Sequence, residues 1–330
     1  MSCLFPISGW RSSSRNENGN YPIVFSISKG DPSRPVSVPC GRCVNCRLNH
    51  SSQWAIRSMH EVHYYDYNSF VTLTFDDDHL FNRENPMTVI QRDLQLFMKK
   101  LRKRVVMPNP YPKGHHLREW WIQENGIRFY GCGEYGEERL RPHYHILLFN
   151  WDFPDKELWQ ERQGYKLYRS SLLESIWPYG FSTIGDVSLQ SAGYVARYCT
   201  KKINGDLMDQ QDPDGFYHYE RINGDTGEIK MVKPEFSVQS RNPGLGRRFY
   251  DEFKHDIYRH DRIIMDGKKF LPPKYYDKLY RAEFPNEFSK ISRKRVDKAM
   301  DRFKNKDDPS SLQKYRVSVT KFKQLVRDLQ

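Results

Sequence analysis

The chain has 330 residues, of which apolar residues make up 38%, aromatics 14% and charged residues 28%; that is enough for one large domain or two ordinary ones around a real core, and it excludes a disordered chain. Lys and Arg number 53 against 41 Asp and Glu, a formal net charge of +12, and such an excess attracts polyanions, of which nucleic acid is the commonest. No apolar run approaches the ~20 residues of a membrane helix, no basic segment followed by an apolar stretch suggests a secretory signal, and Cys3, Cys40, Cys43, Cys46, Cys132 and Cys199 read as reduced thiols or metal ligands rather than a disulfide framework; a cytoplasmic protein without a membrane partner is expected.

In chain order, residues 11–20 and 28–35 are polar and rich in Gly, Ser and Pro, and read as loop. CGRCVNC follows, then a helical pattern near 51–65 with Ala55, Met59 and Val62 on one face. SFVTLTF, 69–75, is β-branched and aromatic and reads as a strand, ended by the acidic residues 76–78. Residues 88–105 carry the clearest helical pattern: Ile90, Leu94, Phe97, Met98, Leu101 and Val105 form an apolar stripe, and Arg92, Lys99, Lys100, Arg102, Lys103 and Arg104 occupy the other faces. IRFYGCGEYG, 127–136, and PHYHILLF, 142–149, read as strands joined through EERLR, hence an antiparallel hairpin. FSTIGDV, 181–187, is a further short strand, and LQSAGYVARYCTKKI, 189–203, a helix with Ser188 as its N-cap. Beyond 204 the chain is turn-rich, with a Gly/Pro loop in RNPGLGRR, 241–248, and a basic helical stretch at 290–306. Strands and helices alternate without regular βαβ units, so the expected fold is α+β, a central antiparallel sheet with flanking helices. It divides into an N-terminal arm with the Cys cluster, 1–50, a core, 51–205, and a basic, mostly helical C-terminal extension, 206–330.

On a strand His143 and His145 point to one face, about 7 Å apart, while Tyr144, Ile146 and Leu148 take the other. Such a pair is either a set of hydrogen-bonded core histidines or part of a metal site. A third ligand is at hand in Glu134, which the hairpin brings alongside; a carboxylate and two neutral imidazoles leave open positions for substrate oxygens.

In YVARYCTKK, Tyr194 and Tyr198 are helical neighbours. Arg197 and Lys201 share their face, Lys202 borders it, and Ala192, Val195, Ala196, Cys199 and Ile203 lie opposite. Two phenols among three cations are either exposed tyrosines beside solvated charges or nucleophiles. A phenol with its ordinary pKa of ~10 is a poor nucleophile until cations or a polarised target assist it. Attack on phosphorus would yield a phosphotyrosine and a free 3′-OH, with Lys201 or Arg197 offsetting charge.

Cys40, Cys43 and Cys46 recur at three-residue intervals, with Gly41 and Asn45 suited to the turns of a metal knuckle. A structural Zn²⁺ wants four ligands; Cys3 is the natural fourth, with His50 or His60 as the other choice, and packed reduced thiols as the alternative to any metal. Arg241, Arg247 and Arg248, together with Arg197 and Lys202, are candidates for tracking DNA phosphates, and the NPGLG amides for approaching an anion. The cationic face of 92–104 reads as solvated.

The ordered set SFVTLTF, CGEYG…RPHYHILLF and YVARYCTKK resembles the HUH endonuclease superfamily, and within it the rolling-circle replication initiators of microviruses, small single-stranded DNA phages, of the gokushovirus branch. CGRCVNCRLNHSSQWAIRSMHE is also similar to that branch, so the resemblance spans about residues 38–205, with a weaker echo at RNPGLG. It implies a central antiparallel sheet with His143 and His145 on a middle strand as metal ligands, Glu134 as the third, and Tyr194 and Tyr198 as the paired nucleophiles of the two-tyrosine branch. Tyr144 departs from the aliphatic residue usual between the histidines. The cofactor implied is Mg²⁺ or Mn²⁺, with Mn²⁺ the more comfortable partner for imidazole. Partners implied are single-stranded DNA at a replication origin and the host helicase and polymerase, in the host bacterial cytoplasm. A two-tyrosine transposase, a non-enzymatic single-strand DNA-binding protein and a zinc hydrolase are the alternatives.

Overall fold

The computed structural model describes the chain apart from residues 1–2, 18, 20, 106–107, 137–138, 163, 199–209, 212–214, 223–226, 305–312, 314–315 and 321–330. Two units divide it, one built on residues 1–50 and the other on residues 51–300. In the first, β1 (Ile7–Ser12), β2 (Ile23–Val24) and β3 (Gly30–Val38) form an antiparallel sheet in the order β2-β1-β3. The stretch 28–35, expected as loop, is therefore strand from Gly30 onward. β3 is an edge strand with β1 as its partner, and an edge tolerates the missing N–H groups of Pro32 and Pro35. α1 (Val44–Val62) begins in this unit and continues into the second.

The second unit continues with β4 (Asn68–Leu73), α2 (Asp77–Phe81), α3 (Gln91–Val105), α4 (Arg118–Asn125), β5 (Arg128–Tyr135), β6 (Pro142–Phe149), β7 (Glu157–Arg162), β8 (Tyr165–Arg169), α5 (Ser171–Ile176), β9 (Ser182–Gly185) and α6 (Leu189–Tyr198). Then come β10 (Glu220–Ile222), β11 (Ile229–Met231), β12 (Phe236–Gln239), α7 (Arg247–His260), β13 (Ile263–Met265), β14 (Lys268–Phe270), α8 (Lys274–Glu283) and α9 (Pro285–Lys304). The fold is α+β. Its centre is a seven-stranded antiparallel sheet in the order β12-β5-β6-β4-β9-β8-β7, with helices on both faces.

β6 lies inside this sheet, between β5 and β4, which is why its sequence is apolar on both faces. Tyr144, Ile146 and Leu148 enter a core with Leu94, Phe97, Met98 and Leu101 of α3 and with Trp177. Leu147 and Phe149 enter a second core on the opposite face, with Ala55 of α1, Phe70, Tyr130, Cys132 and the α6 residues Ala192, Tyr194, Val195 and Ala196. α3 matches its apolar stripe, and its Arg92, Lys99, Lys100, Lys103 and Arg104 are exposed. α6 starts at the expected cap, with the Ser191 N–H donating to Ser188 Oγ at 3.1 Å; its expected continuation past Tyr198 to Ile203 lies outside the described residues.

The expected boundary at 205/206 does not divide the fold. β12 pairs with β5 from Phe236↔Gly133 to Gln239↔Tyr130, so a segment from beyond 205 completes the central sheet. A four-residue strand in a turn-rich stretch has too little periodicity to be seen without its partner. The later helices α7 and α8 build a third core around Tyr250, Ile257, Tyr258, Tyr276 and Tyr280 with Ile56 of α1. The RNPGLG loop is held to α1 and β5 by a buried ion pair: Glu61 accepts from Arg128 Nε and from the Gly246 N–H at 2.6 Å, while Arg128 Nη2 donates to the Pro243 carbonyl at 2.7 Å. Gly246 has φ 74°, and a Cβ there would come within 2.4 Å of the Tyr276 hydroxyl. The anion that a loop amide meets is thus the protein's own Glu61 carboxylate.

Candidate metal centre and tyrosine helix

The β5–β6 register places Glu134 directly opposite His143, with Cys132 opposite His145. Directly opposed and diagonal residues on one face of an antiparallel pair lie within side-chain reach. One ligand atom from each of Glu134, His143 and His145 lies within 4.8 Å of the others. Glu134 Oε1 is 2.7 Å from His145 Nε2 and 3.8 Å from His143 Nε2. Glu134 and His145 are fully buried, whereas the His143 side chain retains 12% exposure, so the trio opens toward solvent on the His143 side. Gly136 makes room for that ring, since a Cβ there would lie 3.0 Å from His143 Cε1.

Two residues that sequence reasoning missed hold His145. Thr72 lies opposite it on β4, with Oγ1 3.0 Å from Nδ1, and Phe70 stacks on the ring with centroids 5.7 Å apart. A hydrogen bond at Nδ1 turns Nε2 toward the carboxylate and sets the tautomer, as outer-shell partners of metal-binding histidines do. The available signal was a hydroxyl on the same strand face as Phe70 within SFVTLTF. Nitrogens and a carboxylate oxygen converging from three side chains fit a divalent cation with open positions.

α6 packs its N-terminal part on this face of the sheet, and small residues at Ala192, Gly193 and Ala196 permit a close approach. The Gly193 carbonyl accepts a hydrogen bond from Ser51 Oγ of α1 at 3.3 Å. Tyr194 is brought edge-on to His145, with ring centroids 5.4 Å apart and planes at 84°. It also meets Phe70 edge-on at 6.1 Å. Tyr194 is 1% exposed. This corrects the expected polar face: the first phenol belongs to the buried side of α6, with Ala192, Val195 and Ala196. A 3.6-residue period assigns angles around the helix but does not say how wide the buried arc is. Arg197 is half-buried, its guanidinium carbon 5.9 Å from the Tyr194 ring centroid. Tyr198 ends the described part of α6, one turn further on; Lys201 and Lys202 lie outside the described residues.

Of the other cationic candidates, Arg247 pairs with Asp251 at 2.8 Å and Arg248 with Glu124 at 2.6 Å, while Arg241 is exposed.

In the first unit, one Sγ from each of Cys3, Cys40, Cys43 and Cys46 lies within 4.8 Å of the others. Cys3 Sγ and Cys43 Sγ are 3.9 Å apart. Backbone N–H groups point at the sulfurs: Cys40 N is 3.2 Å from Cys3 Sγ and Cys43 N is 3.3 Å from Cys40 Sγ. Burial pushes the Cys43 thiol up, but the Leu4 and Cys46 amides and the neighbouring thiols outweigh it and bring it down to about 7. Cys46 is driven up to about 12 by burial and by Cys43, since four uncompensated thiolates cannot share one site. His60, an alternative fourth ligand, is elsewhere. It stacks on Phe249 with centroids 3.6 Å apart, its Nδ1 lies 2.8 Å from the Tyr276 hydroxyl, and burial pushes its pKa down to about 3.

The fold and site together define an α+β protein whose central antiparallel sheet carries a carboxylate–diimidazole centre with a phenol beside it. The model of the replication-associated protein ORF2 family matches residues 68–203, the span from β4 to α6 that holds every residue of the centre. The chain is 32% identical over 259 residues to replication-associated protein ORF2 of Spiroplasma virus 4, covering 76% of this chain and 70% of that one. It is 28% identical over 299 residues to replication-associated protein VP4 of Bdellovibrio phage phiMH2K, covering 89% and 82%. To replication-associated protein ORF4 of Chlamydia phage 1 it is 24% identical over 271 residues, covering 78% and 59%. No solved structure gives a significant match. The chain belongs to the replication-associated protein ORF2 family. Among the described residues, no helix is long and apolar enough to cross a membrane.

Proposed function

We propose that this protein initiates rolling-circle replication of a phage genome in the host cell by nicking single-stranded origin DNA with a tyrosine and later rejoining the strand to a circle. The observation that carries the reading is the meeting of Tyr194 with His145 at a 5.4 Å ring separation, beside Glu134 and His143. Glu134, His143 and His145 would hold Mn²⁺ or Mg²⁺, which supplies Lewis-acid charge to a scissile phosphate. The chain's own residues do the rest. Thr72 and Phe70 fix His145. The Tyr194 hydroxyl loses its proton and its oxygen attacks phosphorus; the bond to the 3′ oxygen breaks, that oxygen takes up a proton, and the 5′-phosphate remains on tyrosine. Because Tyr194 is buried, DNA enters from the side on which His143 is exposed. Arg197, with Lys201, offsets charge on the phosphoryl group. The freed 3′-OH primes the host polymerase, behind a host helicase. After one round Tyr198 attacks the regenerated origin, and the new 3′-OH displaces Tyr194 to close the circle, so two phenols on one helix let the covalent link pass without release.

The test is cleavage of an origin oligonucleotide with Mn²⁺, resolved on a denaturing gel. A band of protein with DNA attached is expected, and EDTA should remove it. DNA binding with no cleavage under any metal would leave a non-enzymatic single-strand binder instead.

The same reading gives Cys3, Cys40, Cys43 and Cys46 a structural Zn²⁺. Thiolates at ~2.3 Å from a tetrahedral ion are separated by about 3.8 Å, and Cys3 and Cys43 are 3.9 Å apart. The ion would tie the start of the chain to the first turn of α1. Gently purified protein is expected to contain one zinc per chain, and Cys43→Ser to lose it and to lower the melting temperature. Metal analysis that finds no zinc while all four thiols react freely with a thiol reagent would remove the proposal.

A further inference from the structure

We propose that a cleft at the far end of β5 is a phosphodiester-binding site for single-stranded DNA, separate from the scissile bond. The inference rests on the reading that the substrate is a DNA strand, and is independent of nicking. The cleft has a volume of about 510 Å³ and is lined by four arginines, Arg102, Arg118, Arg128 and Arg241, with no carboxylate among its lining residues. That size falls within the range of sites that hold a nucleotide-sized ligand, ~300–1,000 Å³.

The charge balance points to an anion. Elsewhere on the surface, arginines sit against carboxylates: Arg247 with Asp251, Arg248 with Glu124, Arg295 with Asp261 and Asp277. In the cleft, among the described residues, only Arg128 has such a partner, the buried Glu61. Arg102 donates Nε and Nη2 to the Ile127 carbonyl at 3.2 and 2.7 Å, and Arg118 donates Nη1 to the Tyr111 carbonyl at 2.6 Å. Carbonyl oxygens satisfy donors but neutralise nothing. Arg241 is exposed and has no ion-pair partner among the described residues. Burial pushes the Arg102 guanidinium below its ordinary range, and the nearby charge of Arg128 pushes it further. Like charges gathered in this way lose stability unless an anion joins them.

Donors are also left over. Arg128 is 2% exposed, yet its Nη1 has no hydrogen-bond partner among the described residues, nor does the buried Nδ2 of Asn109, another lining residue. Buried donors of this kind are rare without a ligand or water to meet them. Trp121 and Phe129 add aromatic surface to the same cleft, the second element that single-strand sites use. Arg128 begins β5 and Glu134 lies near its other end. Six residues of strand place the cleft about 20 Å from the metal centre, too far to touch the scissile phosphate and well placed to hold another part of the same strand.

The test uses the full chain with EDTA present, so cleavage cannot contribute. A fluorescein-labelled oligo-dT is titrated by anisotropy at several salt concentrations. The double variant Arg118→Gln, Arg241→Gln is expected to bind at least ~10-fold more weakly, and its salt slope to flatten by about 1.4, the value for two lost phosphate contacts on a single strand. A control pair on the exposed face of α3, Arg92→Gln with Arg104→Gln, should move affinity less than ~2-fold. Unchanged affinity and slope in the cleft variant, or an equal loss in the control, would overturn the proposal. So would tight binding of inorganic phosphate or a free deoxynucleoside triphosphate that is lost in the cleft variant while oligo-dT binding is retained, because the ligand would then be a free phosphate compound. A protein that fails to nick but shows the expected loss keeps the cleft and removes the nicking mechanism.

Discussion

Tyr194→Phe abolishes the covalent protein–DNA adduct on the first nick and slows origin cleavage at least ~10³-fold, the scale seen when a nucleophile is removed from an otherwise intact site. The variant is a clean one. Tyr194 contributes its ring to the buried cluster with Phe70, Val195 and Leu147, and edge-on to His145; phenylalanine keeps that ring and removes only the hydroxyl. Stability should therefore change by no more than ~1–2 kcal/mol. Tyr198→Phe, by contrast, is expected to nick once and to fail at closure, leaving linear product and adduct. Denaturing gels of the two variants with one oligonucleotide distinguish the roles. Full adduct from Tyr194→Phe would make Tyr198 the first nucleophile, and adduct from the double variant would end the tyrosine mechanism.

Glu134→Gln and His145→Ala remove cleavage by a different route, and the difference can be measured. Each takes one donor from a three-donor set whose ligand atoms lie within 4.8 Å of one another. Mn²⁺ affinity, read by electron paramagnetic resonance, should fall by at least ~10²-fold, and cleavage with it. Thr72→Val acts one step out, on the His145 ring through Nδ1, and should cost about 10–100-fold in affinity. Tyr194→Phe should leave Mn²⁺ affinity in place, because it keeps all three donors. Retained metal affinity in both Glu134→Gln and His145→Ala would mean that the trio is a hydrogen-bonded core cluster, and the proposed metal centre would have to be given up.

The parts of this protein that were legible in its sequence are those governed by short periods. The hairpin of 127–149 put Glu134 beside His143 because two strands joined by a short turn leave little freedom of register. Alternation along PHYHILLF assigned His143 and His145 to one face and Tyr144, Ile146 and Leu148 to the other. The spacing of Cys40, Cys43 and Cys46 marked a knuckle, and Cys3 arrives at it as the fourth sulfur. The stripe of α3 needed nothing beyond its own pattern.

Other features depended on residues distant in sequence. α6 carries phenols and cations on overlapping faces, and only its packing against β5 and β6 decided that Tyr194 turns inward to His145. β12 became a strand because β5 offered an unpaired edge, and RNPGLG became an anchor because Glu61 of α1 reached its amide. Arg102, Arg118, Arg128 and Arg241 share no local pattern and meet only at the end of β5. Periodicity, acting over a few residues, determines which side chains share a face; which faces then meet is set by long-range burial and charge compensation, and those exist only once the whole chain has closed on its core.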